Sequence, residues 1–453
     1  MEKAILHSKK RALPGWLLGV LIFAVVILAI GGAIVYRVSR SPALAQFPAF
    51  AAPRSTEAWR QDLRFLATEI PARHKNAFHA ITRDQFEKSV AELSLQIPNL
   101  NKDQIVVALM RITASIGDGH THVEIPPNFH SFPIELYWFD DSLRVVKAVP
   151  EYRRALGAKV VQIGDTSIED ALKAVNTVIP QGESKLWIRR ISPELLVCSE
   201  VLHGLGVLSN AARGEFVFEN DSEERFSLDL DTLPESQRES AEQEWLSAAS
   251  GQPVSSEHPN EDEWFTYLDS EHTLYFKFNH APGYWEFRRF SKQLFNVFDH
   301  RPARRLVIDL RNNRGGDSTK FRWIFLPRLI DRRFSRQCFA CPREINKPTK
   351  LYVLIGRETY SAGMITAVEL KQEAAAMLVG EPIGGRPDAY DEDRPFELPN
   401  SHLVVFVSTR YYRLVQDDTP GLAPEKEIPL TWREFIAGRD PVLDWVLAQA
   451  VER

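Results

Sequence analysis

The chain of 453 residues has little cysteine and no marked excess of charge of either sign. Its three cysteines cannot build a disulfide framework. The formal net charge is −5 and the pI is about 6.2, so nothing indicates a nucleic-acid partner. We find no internal repeat and no low-complexity tract, and a repeat architecture is therefore not indicated.

Several motifs of well-known sites are also missing. Cys338 and Cys341 form a single CxxC without a second pair, which is poor evidence for zinc. A local disulfide, two unreactive thiols and a redox pair remain open for them. No G-x-G-x-x-G follows a strand, and no G-x-S-x-G is present, which disfavours a dinucleotide-binding fold and an α/β-hydrolase. We expect no metal and no organic cofactor.

The first feature that is present is a long apolar segment near the N-terminus. Leu13–Tyr36 carries no charged residue, and at ~1.5 Å per residue a helix of this length crosses a ~30 Å hydrocarbon layer. More basic residues precede the segment than follow it closely: Lys3, Lys9, Lys10 and Arg11 against Arg37 and Arg40. The positive-inside rule predicts a single-pass anchor in the cytoplasmic membrane, with the N-terminus in the cytoplasm and the rest outside. The alternative is a signal peptide cleaved near Ala43-Leu44-Ala45.

The remainder has the composition of a folded globular protein, and its length predicts two or three domains. Residues 1–40 would be the cytoplasmic tail and anchor, and 41–54 a linker. Residues 55–125 read as a helical unit that ends in a Gly-Asp-Gly-His turn, and 126–262 as a small β module with a helical and acidic insertion. Within the latter we expect 180–214 to be mostly helical and 220–262 to lie at the surface.

Residues 263–453 alternate between strand and helix patterns, which predicts an α/β sheet with crossover connections. The expected strands are Leu274–Phe278, Leu306–Leu310, Leu351–Ile355 and Met377–Val379, with a hairpin that includes Leu403–Ser408. The expected helices are Trp285–Phe298, one that begins near Ser318, and Ala362–Glu373.

Ser361 stands between a predicted strand and the apolar helix that follows it. A serine at a helix N-terminus has free backbone N–H groups beside it, and the helix dipole favours negative charge there. A nucleophile for acyl transfer belongs at such a place. The alternative interpretation is an ordinary N-cap serine.

Gly315 and Gly316 follow the strand Leu306–Leu310. Two glycines let the backbone present an N–H to the carbonyl oxygen of a bound substrate. The alternative is a plain turn from strand to helix.

His120 lies in an irregular turn between Gly119 and Thr121. Histidine is a suitable base for a hydroxyl nucleophile because its ordinary pKa is near neutrality. Packing and hydrogen bonding are the second interpretation. Metal binding together with His122 is the third, but the sequence shows no obvious third ligand.

Together these segments resemble peptidase family S41, which includes the C-terminal processing (tail-specific) proteases and the tricorn core. The likeness covers about Trp59 to Leu447. The motifs that carry it are Asp118-Gly-His-Thr121, Asp309-Leu-Arg-Asn-Asn-Arg-Gly-Gly316, Tyr360-Ser-Ala-Gly363, Val379-Gly-Glu-Pro-Ile-Gly-Gly385, Gly421–Ile428 and Gly438–Leu443. The resemblance implies an S41-type crossover α/β catalytic domain. It also implies that residues 132–178 are a reduced PDZ-like module.

The sequence departs from the processing proteases at one position. Those enzymes use a lysine 25 residues after the serine, and here that residue is Arg386, which stays protonated and cannot act as a base. The resemblance to the tricorn-like branch therefore implies His120 as the base and Asp418 as a supporting acid, with Asp417 as the second choice. It implies the backbone N–H groups of Ala362 and of Gly315 or Gly316 as oxyanion donors.

The function predicted from the sequence is that of a membrane-anchored, extracytoplasmic serine endopeptidase acting on a peptide or an unfolded protein. The first alternative is a catalytically inactive module that keeps a peptide-binding groove. The second is an esterase-type hydrolase of a small substrate. The sequence predicts no particular oligomeric state.

Overall fold

The computed structural model describes residues 47–234, 245–280, 283–334, 349–416, 419 and 421–450. The predicted membrane span, the CxxC cysteines and Asp418 lie outside these residues. Within the described ranges, no helix is both long and apolar enough to span a lipid bilayer.

Three helices form the first part of the described chain, where the sequence predicted a helical unit. They are α1 (Thr56–Arg73), α2 (Arg83–Gln96) and α3 (Lys102–Ala114), with a 3₁₀ turn at Ile97–Asn99 between the last two. The predicted cap is present, since the Ser55 hydroxyl accepts a hydrogen bond from the backbone N–H of Ala58. The chain then turns at Gly117, whose φ of 90° suits glycine, and enters the histidine turn.

The next part is a mainly antiparallel β module. The strands of this part of the chain are β1 (His122–Val123), β2 (His130–Ser131), β3 (Ile134–Phe139), β4 (Ser142–Ala148), β5 (Lys159–Ile163), β6 (Thr166–Ser167), β7 (Arg213–Glu219), β8 (Arg225–Asp231), β9 (Leu233–Pro234) and β10 (Leu246–Ser247). The main sheet has the order β10, β4, β5, β7, β8, and in addition β3 pairs with β4 and β6 with β5. Strand β2 pairs with β9, and β1 belongs to another sheet. The helices of the module are α4 (Ile168–Asn176), α5 (Lys185–Leu195) and α6 (Ser199–Gly204), with a 3₁₀ segment at Pro150–Ala155.

The hairpin β7–β8 corrects the sequence prediction, which placed helix and surface segments there. Each residue of Arg213–Glu219 is paired with one of Arg225–Asp231. The acidic residues alternate with apolar ones, and Phe216, Phe218 and Leu230 are fully buried. Alternation with a period of two is the mark of a half-buried strand, and the high acidic content concealed it.

The α/β part is built on a sheet with the strand order β11, β12, β13, β14, β15, β18. Every neighbouring pair is parallel except β11 with β12. The strands are β11 (Glu263–Leu268), β12 (Thr273–Phe278), β13 (Arg305–Asp309), β14 (Lys350–Ile355), β15 (Met377–Gly380) and β18 (Lys426–Glu427). The crossover helices are α7 (Tyr284–His300), α8 (Ser318–Lys320), which continues through a π-helical turn into α9 (Leu326–Phe334), and α10 (Ala362–Ala374).

Both faces of this sheet are covered, as the continuous apolar runs of its central strands require. Phenylalanines of α7 and of the π-helical turn pack on one face. The C-terminal helix α12 (Pro441–Ala448), which follows α11 (Trp432–Ile436), packs on the other through Val442, Leu443 and Val446. The predicted alternation of strands and helices in this part is confirmed.

A long hairpin connects the histidine turn to the α/β part. It consists of β16 (Ala389–Glu397) and β17 (Val404–Tyr412), and β1 adds to its edge with His122 opposite Phe406. Because β1 follows the Gly-Asp-Gly-His turn directly, this pairing fixes the turn against the hairpin. The sequence predicted this hairpin but not its partner β1.

Candidate active site

Ser361 lies at the junction of β14 and α10, where the backbone is strained. Its φ of 49° and ψ of −122° are unfavourable for any residue with a Cβ, at a cost of about 1–3 kcal/mol. Its side chain makes no capping hydrogen bond to the helix. The N-cap interpretation of this serine is therefore wrong, because its half-buried side chain stands at the end of a strained turn without bonding to the helix.

Residues around Ser361 hold this conformation in place. The Thr359 hydroxyl donates to the carbonyl of Leu310 at 2.8 Å and accepts from the backbone N–H of Gly356 at 3.1 Å. The backbone N–H of Tyr360 donates to the carbonyl of Asn313 at 3.0 Å. The loops that follow β13 and β14 are thus bonded to each other directly before the serine, which is how an unfavourable φ can persist.

The glycine turn after β13 lies against Ser361, as the sequence predicted. Gly315 and Gly316 have φ values of 123° and 109°, which only glycine adopts without strain. A Cβ on Gly315 would be 2.8 Å from Cβ and 3.2 Å from Oγ of Ser361. The missing side chain is what allows the two turns to approach so closely.

The three backbone N–H groups predicted as oxyanion donors differ in whether they already donate a hydrogen bond within the protein. The N–H of Gly315 donates to Oδ1 of Asn313 at 3.1 Å. Among the described residues, the N–H groups of Gly316 and Ala362 have no acceptor. Of the three predicted oxyanion donors, these two are the ones available to a ligand.

His120 is buried, with 6% of its surface exposed, and it lies beside the serine segment. Its Nδ1 is 2.9 Å from the Tyr360 hydroxyl, and the two rings are stacked with centroids 4.6 Å apart. Its Nε2 is 3.4 Å from Oδ1 of Asp391 but has no hydrogen-bond partner in the described ranges. The fold thus brings His120 to the residue next to Ser361, although no hydrogen bond joins the two side chains among the described residues.

Asp118 holds the histidine turn from within. Its carboxylate accepts hydrogen bonds from His74 Nε2 at 2.9 Å, from the Ser408 hydroxyl at 2.5 Å and from the backbone N–H of His120 at 3.2 Å. Burial alone would raise the pKa of Asp118, but the bonds from His74 and Ser408 outweigh it, and the pKa lies below its usual value. The carboxylate is therefore charged, and it ties three segments of the chain together.

Glu183, from a distant segment of the chain, also holds the histidine turn in place. Its two carboxylate oxygens accept from the backbone N–H of Gly119 at 3.1 Å and of Arg386 at 2.7 Å. Burial raises the pKa of Glu183 despite these two donors. Arg386, at the position of the family's lysine, thus takes part through its backbone, and its guanidinium donates to the carbonyl of Gly182 at 3.5 Å.

Asp391 is an acidic residue that the sequence reasoning missed. It lies on β16, is 6% exposed and faces the imidazole of His120. A signal in the sequence could have found it: Asp391 occupies an inward position of the predicted hairpin. A buried carboxylate requires a charged or hydrogen-bonding partner, which points to a neighbouring site. Asp418, which was predicted for this role, lies outside the described residues.

A buried charge cluster anchors the base of the glycine turn. Arg311 donates to both carboxylate oxygens of Asp309 and of Asp440, and Lys277 Nζ is 3.2 Å from Asp309. Burial alone would raise the pKa of Asp309, but Arg311 and Lys277 outweigh it and lower the pKa far below its usual range. Through Asp440, the C-terminal segment is fixed to the loop that leads to Gly315.

His122 does not join His120 in a shared site. Its Nε2 is 3.1 Å from Glu124 Oε2, and its ring stacks on Phe406 with centroids 5.1 Å apart. Within the described ranges, no group of three His, Cys, Asp or Glu residues is arranged to hold a metal ion.

Residues 275–427 match the sequence model of Peptidase family S41. They form an S41 peptidase domain. The matched range contains Ser361, both glycines of the turn, Ala362 and Asp391, whereas His120 precedes it. A search of the curated proteins gave no match to this chain.

Solved structures share the fold over more than the S41 domain. Mature CPAF complexed with lactacystin superposes with a TM-score of 0.57 at 13% identity, over 86% of this chain and 98% of that chain. A second structure of mature CPAF gives a TM-score of 0.57 at 14% identity, over 86% of this chain and 96% of that one. The photosystem II D1 C-terminal processing protease gives 0.40 at 14% identity, over 85% and 98% of the two chains. The shared range of the CPAF structures includes most of the described chain.

Proposed function

We propose that this chain is a serine endopeptidase in which Ser361 is the nucleophile and His120 the general base. The observation that carries the proposal is the strained backbone of Ser361, which places an uncapped hydroxyl beside two backbone N–H groups that have no acceptor in the described part of the chain. Strained residues of this kind concentrate at active sites, because the strain serves to present a reactive group. The S41 match over 275–427 agrees with peptide substrates.

In the proposed reaction, the Ser361 oxygen attacks a peptide carbonyl and its proton passes to His120. For this step the imidazole must exchange the hydroxyl of Tyr360 for that of Ser361. Catalytic hydrogen bonds often form fully only in the complex with substrate. The peptide C–N bond then breaks, and His120 returns the proton to the leaving amine. Water hydrolyses the acyl-serine by the same steps and frees the serine.

The remaining groups have defined tasks in this proposal. The N–H groups of Gly316 and Ala362 would stabilise the oxyanion, since neither donates to any residue that the structure describes. Asp391, 3.4 Å from Nε2 of His120, would stabilise the imidazolium that forms. This assigns to Asp391 the role that the family resemblance suggested for Asp418.

The test uses the purified full-length chain in detergent and a dye-labelled unfolded protein as substrate. We expect Ser361→Ala to abolish turnover, while Ser89→Ala, at a partly exposed position of α2, leaves it unchanged. Lactacystin, found in complex with CPAF, is a suitable ligand to try, and it should block the wild-type chain. Turnover that survives Ser361→Ala would refute the nucleophile assignment. A short ester cleaved while no peptide is cleaved would favour the esterase alternative.

We further propose that the enzyme is anchored in the cytoplasmic membrane with its catalytic part outside. The support is the uncharged segment Leu13–Tyr36 and the excess of basic residues before it. Extraction of membranes with alkaline carbonate should leave the full chain in the pellet, and external protease should cut it in spheroplasts. Recovery in the soluble fraction with a new N-terminus near residue 46 would support a cleaved signal peptide instead.

A further inference from the structure

His280 lies outside every motif discussed above, yet its ring contacts the glycine turn. It follows β12, and its backbone N–H donates to the carbonyl of Asp262 at 3.1 Å. Its Nδ1 is 3.2 Å from the carbonyl oxygen of Gly315. Because a carbonyl can only accept, Nδ1 carries the proton in this hydrogen bond.

The peptide unit between Gly315 and Gly316 links this bond to the proposed oxyanion donor. A trans peptide is planar, and its C=O and N–H point in opposite directions. A group that fixes the direction of the Gly315 carbonyl therefore also fixes the direction of the Gly316 N–H. We propose that His280 is a positioning residue that aims this N–H at the substrate's carbonyl oxygen, an inference that rests on the proposed function.

The turn needs such a contact because two consecutive glycines can rotate their shared peptide at little steric cost. The preceding peptide unit is already fixed, since the N–H of Gly315 donates to Asn313. Among the described residues, the Gly315 carbonyl has His280 as its single partner. A Cβ on Gly316 would collide with Cε1 of His280, so the ring packs directly on this glycine.

Three substitutions at this position separate the hydrogen bond from the bulk of the ring. His280→Ala removes both. His280→Asn keeps an N–H donor at the same number of bonds from Cα as Nδ1, whereas the donor of His280→Gln stands one bond further out. The matched control is His300→Ala, because His300 is exposed in α7 and its Nδ1 likewise contacts a backbone carbonyl, that of Asn296 at 2.8 Å.

We expect His280→Ala to lower kcat about tenfold with little change in KM, since the oxyanion bond forms only in the transition state. His280→Asn should recover most of this loss, His280→Gln much less, and His300→Ala should match the wild type. A second readout is inhibition by a peptide aldehyde, whose adduct with serine carries the oxyanion. Its Ki should rise by the same factor as kcat falls, while the affinity for a product peptide stays constant.

Two outcomes would overturn the inference. One is a kcat that is unchanged in His280→Ala while Ser361→Ala abolishes turnover, which leaves the proposed function intact and refutes the positioning role. The other is an equal weakening of aldehyde and product peptide, which indicates loss of binding rather than of oxyanion alignment. Failure of the proposed function itself would show differently, as activity that survives in Ser361→Ala.

Discussion

The two halves of the candidate site are held in place by different means. The serine half, residues 309–316 and 355–363, is formed by the ends of two adjacent parallel strands. Next to Ser361 it is bonded through backbone and short polar side chains, and the buried charge cluster around Arg311 lies further away, at its base. The histidine half, residues 117–122, is a turn held by two carboxylates whose partners come from distant segments.

This difference determines what each half depends on. Neighbouring strands of one sheet place the serine and glycine turns together wherever the S41 domain folds. The histidine turn needs the helical unit, the β module and the hairpin in their final arrangement, because His74, Glu183 and Ser408 all contact it. We therefore expect the serine half to be sensitive to shape and the histidine half to be sensitive to charge.

Gly315→Ala tests the role of shape and should have the largest effect. The new Cβ would lie 2.8 Å from that of Ser361 at a φ of 123°, so both turns must shift. Misplacing an oxyanion donor costs about 10²–10³ in kcat, and we expect a loss of that size in peptide hydrolysis.

The control for this substitution is Gly206→Ala. Gly206 also has a positive φ, 78°, but no atom of the residues described by the structure lies within 4 Å of a Cβ placed there. Both variants carry the strain of a positive φ, but only Gly315→Ala adds the clash with Ser361, and only this variant should lose activity. Full activity in Gly315→Ala would show that the serine half tolerates a change of shape.

Asp118→Asn tests the role of charge in the histidine half. Asparagine offers one oxygen where three donors converge, so buried donors lose their acceptor. We expect unfolding in urea to show a loss of about 2–4 kcal/mol, accompanied by about a tenfold loss of activity. Asp84→Asn, at an exposed position in the first turn of α2, should change stability by less than about 1 kcal/mol.

The comparison of the wild type with Asp118→Asn also predicts an effect of pH on stability. The folded-state pKa of Asp118 lies below the ordinary 3.8, so its stabilising contribution is complete above about pH 4 and is lost as the pH falls through the folded value. The difference in Tm between wild type and Asp118→Asn should therefore shrink as the pH is lowered below 4. A difference that is constant over this range would contradict the role of the charged form.

Glu183→Gln should have a smaller effect, because only one of two hydrogen bonds is lost. The glutamine oxygen can serve either the N–H of Gly119 or that of Arg386, and its NH₂ then faces the other donor. We expect a loss of about 1–3 kcal/mol on urea unfolding and a several-fold loss of kcat/KM. Glu215→Gln, at an exposed position on β7, is the control and should resemble the wild type.

Glu263 is a carboxylate outside both halves, and its substitution should have the smallest effect. Burial and the neighbouring Asp262, Glu286 and Glu261 raise the pKa of Glu263 to about 8. Since the unfolded chain ionises near 4.5, stability is lost as the pH rises between these values. Glu263→Gln should raise Tm slightly at pH 9 and leave it unchanged at pH 4. Equal effects at both values would show that ionisation is not the cause, and no effect on activity is expected at either.

The sequence predicted the serine half more completely than the histidine half. Continuous apolar strands followed by glycine and serine turns are local signals, and neighbouring strands place them at one edge of the sheet. Asp391 was missed because its role depends on a hairpin whose tertiary placement brings that strand position to the imidazole. The hairpin β7–β8 was missed because its acidic residues concealed the alternation of its apolar ones.

The sequence by itself determined the α/β alternation, the glycine turn and the position of Ser361 between a strand and a helix, because these depend on contacts between near neighbours. Only the tertiary structure decided that the serine hydroxyl is uncapped, that Tyr360 and Asp391 face His120, and that Asp118 and Glu183 fix its turn. The physical reason is separation along the chain. Asp118 and Ser408 are 290 residues apart. A local sequence pattern cannot predict their hydrogen bond, because it forms only when distant segments of the chain pack together.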